Sequence, residues 1–166
     1  MGSPVLYGLP PIVGPGAHTL MLGNMPSALS LTARQSYGNP RNAFWRITGA
    51  ILGFAADAPY AQRCAALTAH RIAVWDVLRS CRREGSLDSA VQRDSMVAND
   101  FEGFFAEHRC IARVLFNGAA AEQNFGRLVP VTGELRYRRL PSTSPAQTMR
   151  FEDKLAIWRD AITAWQ

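Results

Sequence analysis

The sequence predicts an α/β fold, a three-layer α/β/α sandwich around a short, mainly parallel sheet, and three observations carry that expectation. Two apolar runs, His18-Thr19-Leu20-Met21-Leu22 and Ile111-Ala112-Arg113-Val114-Leu115-Phe116, read as buried strands, and each stops at turn-forming residues, Gly23 to Pro26 and Asn117-Gly118. Helical patterns follow each run. The C-terminal stretch from Thr148 to Trp165 places apolar residues at Phe151, Leu155, Trp158, Ile162 and Trp165, alternating steps of four and three, as an amphipathic helix requires. Strands alternating with helices argue for parallel pairing, because parallel neighbours need a crossover between them.

The elements follow in order. Residues 1–17 hold Pro4, Pro10, Pro11 and Pro15 with four glycines and read as an irregular N-terminal arm. The strand at 18–22 runs into a long polar loop, 23–42, since Pro26 offers no ladder donor and Gly23 tolerates any backbone angle. Phe44, Trp45, Ile47, Ile51 and Leu52 then fall on one helical face over 42–54, with Asn42 placed to cap it. An Ala-rich helix is expected over 59–69. Residues 71–78 are ambiguous between strand and helix, and Gly85-Ser86-Leu87-Asp88-Ser89 ends them in a loop. Asn99 or Asp100 caps a short helix with Phe101, Phe104 and Phe105. After the strand at 111–116 come an Ala-rich helix to Phe125, an alternating strand over 135–140 and the loop Pro141 to Ala146. Three polar loops, 23–42, 117–118 and 141–146, should therefore gather at one sheet edge, where open α/β sheets bind ligands.

Composition narrows the classes of function. The chain has 166 residues, 48% of them hydrophobic, without repeats, which suits a single domain with a sizeable core over 1–166. No run approaches the ~18 apolar residues of a membrane span, and no signal peptide is recognisable, so an intracellular, cytoplasmic protein without a membrane partner is expected. The three cysteines, Cys64, Cys81 and Cys110, have no metal-ligand or disulfide spacing and read as reduced thiols; His18, His70 and His108 read as structural. A net charge of +5 rests almost wholly on arginine, with Lys154 the only lysine. Guanidinium forks onto phosphate, so a polyanionic partner competes with ordinary surface solubility as the explanation. Lys154 lies in a helical pattern expected to be far from the loops, which disfavours amine catalysis. No P-loop, GxGxxG, GxSxG or HExxH occurs, and no metal or cofactor is implied. The loops supply amides, hydroxyls, an aromatic ring and backbone donors, a set suited to holding a heteroaromatic base and a phosphate.

The order Gly23, Pro26, Ser30, Tyr37, Pro40, Asn42, Phe44, Trp45 resembles the first motif of the uracil-DNA glycosylase superfamily, in the mismatch-specific branch, without a gap. The resemblance tightens toward the hypoxanthine-DNA glycosylase branch through Gly23-Asn24-Met25-Pro26, Ser30-Leu31, Pro40 to Trp45, Trp75-Asp76-Val77, Gly85 to Ser89, Phe116-Asn117-Gly118 and Leu140 to Ala146. It spans roughly residues 20–147 in order. Met25 stands where the mismatch-specific pattern has its water-positioning Asn, Asn39 where a His precedes the Pro, and Leu140 where uracil-specific relatives open their last motif with His or Asn.

The resemblance implies a monofunctional DNA glycosylase that flips a deaminated base, hypoxanthine first and uracil or xanthine next, out of DNA and leaves an abasic site. It implies Asn42 as the catalytic amide, which orients water or the base and could also be the helix cap. Tyr37 becomes the stacking platform, or else a packing tyrosine. Backbone N–H groups of Asn24 and Met25 face a base carbonyl, and Asn117 reads the base edge or simply makes a turn. Ser142, Thr143 and Ser144 become phosphate clamps, or a plain Ser/Pro loop. Trp75 and Phe44 are expected in the core, with Asp76 behind the site or as a structural acceptor. A monomer acting on DNA is expected. The competing readings are a non-catalytic nucleic-acid or nucleotide-binding module on the same fold and, more weakly, a nucleoside hydrolase, which would need carboxylates or a metal at the loops.

Overall fold

A computed structural model of the protein describes residues 3–130 and 133–164; the first two residues of the expected arm and Trp165 of the expected last helix lie outside them. Its strands are β1 (Val5–Tyr7), β2 (Thr19–Gly23), β3 (Ile72–Asp76), β4 (Leu78–Arg82), β5 (Val97–Ala98), β6 (Arg113–Asn117) and β7 (Arg136–Leu140). Its helices are α1 (Ala28–Ala33), α2 (Phe44–Leu52), α3 (Tyr60–Ala69), α4 (Phe101–Glu107), α5 (Ala119–Leu128) and α6 (Phe151–Thr163). Among the described residues no helix is long and apolar enough to cross a membrane.

The central sheet runs β3-β2-β6-β7, with every neighbouring pair parallel. Because it is covered on both faces, its inner strands are apolar on both sides, which is why β2 and β6 appear in the sequence as runs rather than alternations. Leu20, Leu22, Ala73, Val114 and Phe116 point into a core closed by Phe101 and Phe104 of α4 and Phe125 of α5. Met21, Ile72, Val74 and Leu115 point the other way, against Phe44 and Ile47 of α2, Leu67 of α3 and Trp158 of α6. These are the three expected layers.

Several boundaries differ from the sequence expectation. The arm is not irregular throughout: Val5–Tyr7 pairs antiparallel with β4, and Ile12 bridges Val74. The loop 23–42 contains α1, capped by the Ser27 hydroxyl accepting from the Ser30 N–H at 3.1 Å. The ambiguous stretch 71–78 is strand β3 followed directly by β4, which leaves the central sheet to join a second, antiparallel sheet β1-β4-β5. Helix α2 starts at Phe44 rather than Asn42 and ends at Gly53, whose φ of 86° no other residue type adopts as cheaply. Helix α5 runs three residues further than expected, to Leu128, and α6 begins at Phe151 rather than Thr148. Asp100 is the cap of α4, its Oδ1 accepting from the Gly103 N–H at 3.0 Å.

Among the described residues four charged side chains lie inside this fold, Asp76, Arg83, Arg113 and Lys154, and the last two brace α6. Arg113, within an otherwise apolar strand, donates to Thr19 Oγ1 at 2.7 Å and to the Ala161 and Ile162 carbonyls near the end of α6, so its charge satisfies acceptors the helix leaves open. Lys154 is 4% exposed and donates to the Gln147 carbonyl at 2.8 Å and the Ser144 carbonyl at 3.3 Å. The expectation that Lys154 lies far from the loops is therefore corrected: it holds the loop 141–147 onto α6. Helical periodicity placed it on α6 but could not show which loop that helix supports.

Candidate active site

The register brings the C-terminal ends of the four neighbouring strands together. Gly23 of β2 is level with Asp76 of β3, Leu22 with Phe116 of β6, and Asn117 closes β6 beside Leu140 of β7. A cavity of about 400 Å³ opens over these ends, within the range of small-ligand sites. Its wall comes from the expected loops 23–42, 117–118 and 141–146, and also from Ser86 to Ser89.

The structure places the expected residues in that wall but gives them unequal freedom. Asn42 is half-buried, and its Oδ1 accepts from the Phe44 N–H at 2.9 Å, closing the entry to α2. Its Nδ2 donates to no acceptor among the described residues, so the amide both shapes the turn and keeps donors for a guest in the cavity. Asn39 is similar, with Oδ1 accepting from the Arg41 N–H at 3.0 Å. Tyr37 sits at φ 55°, a left-handed conformation that costs a non-glycine residue roughly 1 kcal/mol. That strain lays its ring on Phe44, with centroids 4.0 Å apart and planes 22° from parallel. Phe44 is itself wedged edge-on against Trp45 and Trp158. One face of Tyr37 is thus backed by the core, and the residue borders the cavity.

Asn117 is a strut. Its Nδ2 donates to Tyr37 Oη at 3.1 Å and Thr143 Oγ1 at 2.9 Å, and its Oδ1 accepts from the Thr143 N–H at 2.9 Å. Both amide donors are engaged, so the geometry gives Asn117 the task of fixing Tyr37 relative to the 141–144 loop. Asn117→Ala leaves the buried Thr143 N–H without its acceptor and is expected to lower stability by about 2 kcal/mol, read by urea denaturation. Thr143, 1% exposed, belongs to this strut, and its side chain does not reach the surface. Ser142 and Ser144 are half-buried, with hydroxyls accepting from the Ser144 and Ala146 N–H groups. Beside them a shallow groove carries Arg41, Arg46 and Lys154.

Asn24 and Met25 border the cavity, but the Asn24 side chain is spent within the protein. Its Nδ2 donates to Asp88 Oδ1 at 3.1 Å, and its Oδ1 accepts from Asn124 Nδ2 at 2.8 Å. Met25 is 7% exposed and packs in the α4/α5 core, so the turn position that carries an amide in the mismatch-specific pattern is apolar here.

Two carboxylates in the wall were not expected as site residues. Asp76, 9% exposed, approaches the backbone of Gly23 so closely that a Cβ there would lie 2.5 Å from its Oδ1 and 2.9 Å from Tyr37 Oη. Only glycine fits. No hydrogen-bond donor among the described residues meets the Asp76 carboxyl; its backbone carbonyl accepts from Asn99 Nδ2 at 2.8 Å. Burial, reinforced by the Asp88 charge, pushes the Asp76 carboxyl up to about 7, with Arg83 offsetting part of the rise. Burial also raises Asp88, against the hydrogen bond from Asn24 and the Arg83 charge. Arg83 joins the two walls, donating to the Pro26 and Gly85 carbonyls at 2.7 Å each. The sequence did carry a signal, since Trp75-Asp76-Val77 and Gly85 to Ser89 both belong to the resemblance. What it lacked was the fold that turns the second segment back onto Asn24.

A four-stranded parallel sheet with a polar, aromatic-backed cavity at its strand ends is the architecture of a uracil-DNA glycosylase-like protein. The solved structure of a candidate uracil DNA glycosylase from Methanosarcina acetivorans, determined by solution NMR, matches it with a TM-score of 0.82 at 30% identity, covering 97% of this chain and 98% of that one. The hypoxanthine DNA glycosylase of Methanosarcina acetivorans is 32% identical over 154 residues, 91% of this chain and 94% of its own. That of Methanosarcina barkeri is 30% identical over 158 residues, 93% and 96% of the two chains. No family model matches the chain. Within the glycosylase class, the chain belongs to the hypoxanthine DNA glycosylase family.

Proposed function

We propose that this glycosylase takes a flipped deaminated base, the purine hypoxanthine foremost, into the cavity over the strand ends and hydrolyses its N-glycosidic bond, leaving an abasic site in DNA. The observation that carries this reading is the division of charge in a chain of net charge +5. The cavity wall carries two carboxyl groups, Asp76 and Asp88, and no cation among its lining residues, so it offers a phosphate nothing to pair with, whereas the groove beside it holds the exposed side chains of Arg41 and Arg46. A neutral base belongs in the first and the backbone that carries it at the second.

In this reading Tyr37 stacks on the base and Asn42 holds the attacking water or the base edge with its free amide donors. Backbone groups of Asn24 and Met25 line the base pocket, Asn117 and Thr143 keep Tyr37 in place, and Ser142 and Ser144 approach the backbone phosphates. The protein works as a monomer on DNA, without a metal or organic cofactor in any step. Uracil is the second substrate, and uracil DNA glycosylase is the activity named for the structural relative. Labelled duplexes carrying hypoxanthine, uracil, xanthine or a G·T mismatch, incubated with the protein and then cleaved with alkali, test the proposal. Strand breaks are expected at deoxyinosine, and binding without breaks at any of the four overturns it.

A further inference from the structure

Asp76 is nine-tenths buried, has no hydrogen-bond donor on its carboxyl among the described residues, and lines the cavity beside the Tyr37 hydroxyl. A base lying on the Tyr37 ring presents its edge to that carboxyl, because Tyr37 Oη and Asp76 Oδ1 both crowd the same Gly23 backbone. We infer that Asp76 enters the reaction as a neutral carboxylic acid and hands its proton to the imidazole nitrogen N7 of a flipped 6-oxopurine as the C1′–N9 bond breaks. The electron pair of that bond passes to N9, the base departs neutral, water bonds to C1′, and the proton that the water loses restores the Asp76 acid. This inference rests on the purine reading above.

Three features of the site support it. Met25 supplies no polar group at the turn, so Asp76 is the carboxyl nearest the Gly23 strand end. The groups facing Asp76 are Asp88 from the turn after β4, Arg83 from the end of β4 and Tyr37 from the loop before α2. Burial is the larger influence and Asp88, which repels the ionised form, adds to it; together they outweigh Arg83, which favours that form, and hold the carboxyl up to about 7. Lastly, N7 exists only in purines, so a proton delivered there separates hypoxanthine from uracil by chemistry as well as by size.

The test is the pH profile of single-turnover hypoxanthine release from a deoxyinosine duplex between pH 5.5 and 9. The wild-type rate is expected to be flat at low pH and to fall about tenfold per unit above about 7. Asp76→Asn is expected to be slower by about 100-fold at pH 6 and to lose the falling limb. Asp88→Asn removes the repelling charge, so the falling limb moves to lower pH; a residue that merely shaped the loop would leave it in place. Wild-type release that stays level to pH 9, an Asp76→Asn variant with the wild-type limb, or an Asp88→Asn limb that does not move each overturns the role of Asp76 while leaving a purine glycosylase standing. Absence of wild-type release at every pH overturns both. Should Asp76→Asn fail to fold, the Asp88→Asn shift decides the matter.

Discussion

Asn42→Ala is expected to abolish base release, with a loss of 10²–10³-fold or more in the single-turnover rate, the range seen when one positioned donor is removed from a reacting centre. The amide has two functions in the structure. Its oxygen accepts from the Phe44 N–H, and its nitrogen is left for the cavity. Alanine removes both, and the lost hydrogen bond to the Phe44 N–H alone costs about 1 kcal/mol. Asn42→Ser separates them, because a hydroxyl still accepts from a nearby backbone N–H but cannot reach as far or donate twice. Both variants should be equally inactive, the serine variant nearly as stable as wild type, and both should bind a duplex with an abasic-site analogue within a few-fold of wild type. Full activity in either variant removes Asn42 from the mechanism.

Asp76→Asn is expected to stabilise the protein above neutral pH even as it impairs base release. The folded-state carboxyl is raised from 3.8 to about 7. Between those values the native state holds a proton that the unfolded chain has lost, so stability falls as pH rises through that window and the full cost is present above it. A shift of this size corresponds to about 4 kcal/mol at pH 8. Asparagine carries no such cost. Urea denaturation should find the variant more stable by a few kcal/mol at pH 8, with the gap shrinking toward pH 4. An equal gap at both pH values would mean that packing, rather than ionisation, separates the two proteins.

Much of the fold is written in local patterns. β2 and β6 are legible because a strand buried on both faces must be apolar throughout, and Gly23 and Asn117 are legible as their ends. The antiparallel sheet β1-β4-β5 is not. Its strands are short and partly exposed, and Leu6 finds Cys81 only after the chain has folded. Helix α1, six residues long, is too brief for periodicity to reveal. In the site, Tyr37 and Asn42 stand out through their spacing from Gly23. The engagement of Asn117 with Thr143, and of Asn24 with Asp88 and Asn124, joins residues 26, 64 and 100 positions apart, so no window along the chain contains both partners. The same reason left Asp76 behind the site in the sequence reading: its segment belongs to the resemblance, but its approach to Gly23 and Tyr37 joins residues 53 and 39 positions away.

Strand β7 bears on how the protein behaves in a crowd of its own copies. It is the outer strand of the parallel sheet, and such a strand offers open backbone groups to any passing chain. Its exposed positions are Arg136, Tyr137, Arg138 and Arg139, with Arg138 paired to Asp160 and Arg139 to Glu122. Two copies meeting edge to edge would bring three guanidinium groups against three more. The arginine bias that suits a polyanion thus also discourages the sheet from growing beyond four strands, guarding against aggregation at the open edge of the central sheet.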